Sequence, residues 1–164
     1  MPASYPLLNG IAPSWADVGV TIPIYEGETV EMVDFAALDW EDTVEIGEQK
    51  GASGGRILRR TTGDLKLDAK ATFYRSGLRQ LCRSLAKKAP VRGNQKRISL
   101  VGFDILIQHT PPGETDIYQV KIKGCRLLGR AWKLAEGPDA EKVDVKLHPI
   151  EIVDIIDGEE IVLL

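Results

Sequence analysis

The sequence predicts a mainly β protein, a β-sandwich or barrel with one α-helix packed on the sheet. Three observations point there. Segments of alternating apolar and polar residues recur along the chain, divided by turn signals rich in Gly, Pro and Asp. Only residues 75–88 switch to a helical period. The closing residues, Ile161-Val162-Leu163-Leu164, are apolar to the end, which suits a sheet edge covered by another copy. A length of 164 residues fits one domain. Aromatic residues are only 6% of a chain that is 43% hydrophobic, so the core must rest on Val, Ile, Leu and Ala.

Residues 1–17 read as an extended N-terminal arm ahead of a single β domain at 18–164. Pro2, Pro6 and Pro13 disfavour helix, and Asn9-Gly10 suggests a turn. The arm carries Leu7, Leu8 and Trp15, so it needs cover, either from its own domain or from a neighbouring subunit. Residues 18–24 have strand composition, with Val18, Val20, Ile22 and Ile24 on one face. After a turn at Glu26-Gly27-Glu28, residues 30–33 begin a second strand. Residues 38–46 alternate, with Leu38, Trp40, Asp42, Val44 and Ile46 on one side. Asp39, Glu41, Thr43 and Glu45 form an acidic other side.

Residues 47–63 break the pattern. They hold Gly47, Gly51, Gly54, Gly55 and Gly63 and the cations Lys50, Arg56, Arg59 and Arg60, with few apolar residues. The segment reads as a long loop without its own structure, which is uncommon in a compact domain. It is either a surface hairpin or a protruding basic loop that orders against a partner. Residues 64–74 form the cleanest strand, with Leu65, Leu67, Ala69, Ala71 and Phe73 opposite Asp64, Lys66, Asp68, Lys70, Thr72 and Tyr74. The helix follows. Leu78, Leu81, Cys82 and Leu85 form its apolar stripe, Ser76 is placed to cap it, and Pro90 with Gly93 stops it.

Residues 98–109 and 117–124 form a predicted hairpin around Pro111-Pro112-Gly113, and 125–134 continue as a strand after a break at Gly124. Residues 142–147 alternate through Val143, Val145 and Leu147, with Pro149 assigning the far end to an edge or bulge. Residues 150–156 and 160–164 flank Asp157-Gly158, a strong hairpin signal.

The sequence carries no pattern for catalysis. His109 and His148 lie at no ligand spacing from a cysteine or carboxylate, Cys82 and Cys125 match no metal or redox spacing, and no nucleophile-elbow or phosphate-loop pattern occurs. A non-enzymatic protein without cofactor or metal is the expectation. A net charge of −3 argues against a general nucleic-acid binder, which needs a basic surface. No stretch reaches the ~18 apolar residues of a membrane span, and the N-terminus lacks a signal-peptide pattern, so no membrane anchor is expected.

The order of these segments resembles bacteriophage tail tube proteins, relatives of the tube proteins of contractile injection systems and type VI secretion. The resembling parts are the arm Pro6–Asp17, the acidic strand followed by a Gly-rich segment ending in Arg60-Thr61-Thr62-Gly63, the Tyr74-Arg75 step into a short helix, and Gly124-Cys125-Arg126 in a later strand. The resemblance implies a tail-tube fold, hexameric rings with a continuous inner β-barrel, stacking of those rings, and a conduit for DNA ejection. Implied partners are further copies of the chain, a tail sheath or terminator, baseplate and tape measure proteins, with DNA passing unbound. The implied location is the virion tail, after assembly in the host cytoplasm. Lys50, Arg56, Arg59, Arg60, Leu7, Leu8 and Trp15 become candidates for contacts between rings or subunits. Asp39, Glu41 and Glu45 on one strand, or Asp64 and Asp68 on the next, become candidates for the lumen, with the choice open. The alternatives are a tube from a phage-derived injection particle without DNA, and a small β-barrel module that binds a protein or small ligand.

Overall fold

The structure is a computed structural model, and it describes residues 18–32, 34–52, 54–109, 117–134, 136–138 and 140–162. The expected arm at 1–17, the turn at 110–116 and the last two residues lie outside the described residues. Among the described residues, eleven strands and one α-helix follow in the order β1 (Val18–Pro23), β2 (Thr29–Met32), β3 (Phe35–Lys50), β4 (Ile57–Tyr74), α1 (Arg75–Lys88), β5 (Val91–Arg92), β6 (Gln95–Lys96), β7 (Phe103–His109), β8 (Tyr118–Trp132), β9 (Lys142–His148), β10 (Glu151–Ile156) and β11 (Glu159–Val162). The expectation of a mainly β fold with one helix holds.

Pairing is antiparallel throughout these strands and builds two sheets that share β8, with β5 and β6 paired apart from them. The first runs β2-β1-β7-β8-β10-β11, using the first half of β8. The second runs β8-β9-β4-β3, using residues 126–132 of β8. The corner between them is at Gly124, where the predicted break falls. Its φ of 67° suits glycine, and a Cβ there would lie 2.6 Å from the Ile150 side chain. The facing chain turns the same corner at Pro149 and Ile150, between β9 and β10. The edge or bulge that Pro149 predicts for the far end of β9 is this corner, and β9 itself is an inner strand. It pairs with β4 on one side and β8 on the other, and the proline sits after its last residue.

One core joins both sheets and the helix. Val20, Ile22 and Ile24 from β1 and its end, Phe103, Ile105 and Ile107 from β7, and Val143, Val145 and Leu147 from β9 are all buried in it. The predicted helical stripe holds: Leu78, Leu81 and Leu85 are buried, and Cys82 is half-buried. Ser76 does not cap the helix. The capping position is Tyr74, and the Ser76 hydroxyl donates to the Asp34 carboxylate at 2.6 Å. Nor does Gly93 serve the helix end. It turns the small β5–β6 hairpin. At Asp157-Gly158 the φ values of 51° and 80° form the predicted tight turn between β10 and β11.

The expected long loop at 47–63 is instead mostly strand. β3 runs on to Lys50 and β4 starts at Ile57, so most of the segment lies in the two strands. β9 pairs with β4 only between Ala69 and Tyr74, so among the described residues the distal part of the hairpin is a two-stranded ribbon paired solely with itself. The ribbon buries no face, so residues 54–66 are all exposed and carry no apolar alternation. Backbone hydrogen bonds within the ladder hold it, with register shifts near Val44 and Gln49.

Candidate functional site

The second sheet positions the candidate residues. In a ladder, directly opposed residues share a face. Asp39 opposes Lys70, Glu41 opposes Asp68, and Thr43 opposes Lys66. The intervening residues Trp40 and Ala69 also oppose each other, and Ala69 is buried in the core. The acidic side of β3 and the mixed side of β4, which the sequence left as alternatives, therefore form one solvent face. Glu45 joins it through an ion pair to Lys66, and alternation places Asp64 there too. β9 adds Asp144 and Lys146, opposite Thr72 and Lys70.

This face is more mixed than β3 alone suggested. Lys66, Lys70 and Lys146 lie among Asp39, Glu41, Glu45, Asp64, Asp68 and Asp144, so acids still predominate. Lys70 lies 3.7 Å from Asp144, and the Thr72 hydroxyl donates to Asp144 at 2.8 Å. Glu41 and Asp68 are directly opposed like charges, an arrangement that disfavours pairing slightly. Such a surface offers fixed charge of both signs and no cationic track for a phosphate backbone.

The predicted contact cations stand at the far end of the β3–β4 ribbon. Lys50 ends β3, Arg56 lies in the turn, Arg59 opposes Gln49 and Arg60 opposes Glu48. All four are exposed. Neighbouring residues on a strand point to opposite faces, so Arg59 and Arg60 do not form one patch. Leu7, Leu8 and Trp15 lie outside the described residues.

The sheet has two unpaired edges. β3 pairs only with β4, and residues 126–132 of β8 pair only with β9 among the described residues. Directions alternate across four antiparallel strands, so the two outer strands run oppositely. One edge can therefore add to the other edge of a second copy in antiparallel fashion, and a twofold contact is not required. Exposed apolar residues mark both edges: Trp40 on β3 is 39% exposed, and Leu128 and Trp132 on β8 are 65% and 46% exposed. Beside the β8 edge, on the core side, a cleft of about 360 Å³ opens between β8, α1 and the single turn of 3-10 helix at Ile98–Leu100. The edge of β8, Trp40 and this cleft are not singled out by the sequence. The one available signal is Asp42, a carboxylate in an otherwise apolar row with Leu38, Trp40 and Val44.

No family model matches the sequence, and no curated protein matches it. Solved structures do match the fold. A chain from the anti-feeding prophage baseplate superposes with a TM-score of 0.63 at 9% identity, covering 96% of this chain and 99% of that one. A chain from the anti-feeding prophage tube-terminating cap gives 0.60 at 12% identity, over 94% and 93%. The SPP1 tail tube gives 0.52 at 18% identity, over 90% and 82%. The chain has the tail-tube fold. Among the described residues open edges are not confined to the second sheet, since β2 pairs only with β1 and β11 only with β10. Among the described residues no group of His, Cys, Asp and Glu is placed to hold a metal ion, and no helix is long and apolar enough to cross a membrane.

Proposed function

We propose that this protein is a structural subunit of a tail-like tube. The edge strand β8 of one copy pairs with β3 of the next, and repetition of this step closes a ring whose inner wall is a continuous β-barrel. The observation that supports this most directly is the second sheet, with one open strand at each end and opposite directions in those strands. Ring closure satisfies the unpaired backbone groups that would otherwise template aggregation. The solvent face carrying Asp39, Glu41, Glu45, Asp64 and Asp68 then lines the lumen. The rings are hexameric, as the sequence resemblance implies, and the β3–β4 ribbon projects from each ring towards the next. Lys50, Arg56, Arg59 and Arg60 at its tip meet acidic surface there, with the N-terminal arm, including Leu7, Leu8 and Trp15, as a second contact.

A tail conduit for DNA accounts for a lumen of mixed charge, because fixed cations balanced by acids do not retain a polyanion. The tube of an injection particle without DNA is the second form of the same reading. The fold is shared with solved chains of both kinds of particle, the anti-feeding prophage and the SPP1 tail. In either form the outer partners are a sheath or terminator and a baseplate, with a tape measure protein inside.

Negative-stain microscopy of the purified full chain tests the proposal. Rings or tubes of uniform bore are expected. A protein that stays monomeric at high concentration rejects it. Nuclease-protected nucleic acid inside particles purified from the host separates the DNA conduit from the empty injection tube.

A further inference from the structure

The ring reading leaves open what holds one copy beside the next apart from backbone pairing. Three residues and one cleft bear on this. Trp40 opposes Ala69, Ala69 opposes Leu147, and Leu147 opposes Leu127. These four form one row across the second sheet on its core side, and the row ends at an open edge in both directions. At the β3 end the row finishes in an indole that is 39% exposed. At the β8 end it finishes in the cleft, which is lined by Leu127, Arg130 and Val145 from the sheet and Leu78, Cys82 and Ile98 from the helical side.

The charges match as well. A bulge between Leu127 and Gly129 brings Arg130 opposite Val145, a buried core residue, so Arg130 also points to the core side. Arg130 and Cys82 line the same cleft. Two residues beyond Trp40, Asp42 opposes the half-buried Leu67 and lies on the same side. Neither Asp42 nor Arg130 has an ion-pair partner among the described residues.

We infer that Trp40 of each copy inserts into the cleft between β8 and α1 of the adjacent copy, with Asp42 beside Arg130, and that this contact is the side-chain lock of the ring. The inference rests on the edge-to-edge reading above. A buried aromatic flanked by a charge pair is the usual composition of an energetic centre in a protein interface. The cleft volume is at the lower end of small-ligand sites, which suits one indole. The lock also gives the join a direction, since the anchor is on one edge and the socket on the other.

The test exploits the native thiol in the socket. In a Trp40→Cys variant, oxidation should link the new cysteine to Cys82 of the neighbour, giving a ladder of covalent multimers on a non-reducing gel. The ladder should vanish when Cys82→Ser is added. Cys125 is fully buried, with its thiol pushed up to about 12 by burial, so it remains silent. In the unaltered protein, thiol labelling of Cys82 should slow at least about tenfold on assembly. Trp40→Glu should raise the concentration needed for rings by about tenfold or more while leaving the isolated subunit folded. If wild-type rings form but Cys82 labels equally fast in subunit and ring, the lock is wrong and the ring reading stands. Assembled rings of Trp40→Cys that yield no Cys82-dependent ladder overturn the lock in the same way. If the wild type forms no rings, both fall.

Discussion

Gly77 lies in the first turn of α1, buried against the connection between β2 and β3. A Cβ added there would sit 2.2 Å from the backbone oxygen of Asp34. Two effects oppose each other in Gly77→Ala. Helix propensity favours alanine by about 1 kcal/mol. The clash is with backbone, which cannot rotate away as a side chain can, and overpacking of this kind costs about 1–3 kcal/mol. The clash should win, and urea unfolding should show a net loss of stability. Residue-scale detail of this sort is not legible in the sequence. There, Gly77 is merely a weak residue within a helical pattern, and Ser76 looks like the cap. The Ser76 hydroxyl binds Asp34 because that carboxylate arrives from the β2–β3 connection, 42 positions earlier, a meeting that no local pattern encodes.

At the scale of elements, legibility tracks burial. The helix at 75–88 is readable to its ends because its apolar stripe is in the core. β9 is readable because Val143, Val145 and Leu147 are buried on alternate positions. The distal β3–β4 ribbon reads as loop because a ribbon solvated on both sides has no preferred face, and its glycines imitate a linker. Likewise, the cross-strand register that merges the two lumen candidates follows from pairing, which composition does not express. The ribbon carries the second prediction. Arg59→Glu with Arg60→Glu should leave rings intact and shorten or abolish stacks in electron micrographs, since these residues stand clear of the ring edges.

The helix is tied to the turn before β2 by Glu28, which accepts hydrogen bonds from Ser84 at 2.6 Å and Lys87 at 3.0 Å. Those bonds, the Ser84 bond first, hold the Glu28 carboxyl below its ordinary value. A depressed carboxylate favours the folded state above its unfolded pKa, and the benefit fades as pH falls through the folded value. Glu28→Gln should therefore lower the melting temperature near neutrality and leave it little changed in strong acid. A uniform loss at all pH values would assign Glu28 a packing role instead.

For the whole molecule, strand count sets the bore. In the proposed ring each copy brings the four strands of the second sheet to the wall, so the six copies that the resemblance implies bring roughly 24, spaced about 4.8 Å apart. With the tilt usual for closed barrels, the backbone diameter comes to about 40–50 Å, and inward side chains narrow it to about 30–35 Å. Averaged electron micrographs of tubes should show a channel of that width, with sixfold symmetry in end views. A different symmetry would change the bore in proportion and contradict the expected copy number. Charge at this scale is legible in part: the near-neutral sum points away from DNA binding, while the placement of Lys66, Lys70 and Lys146 among the acids requires the sheet.

β8 is one continuous strand that serves both layers, bending at Gly124 without interruption. In the proposed ring, a pull on the seam is thereby conveyed along the same strand into the packed interior. Particles assembled from such parts should be stiff against radial swelling and should fail by rings parting from one another before any single ring splits open.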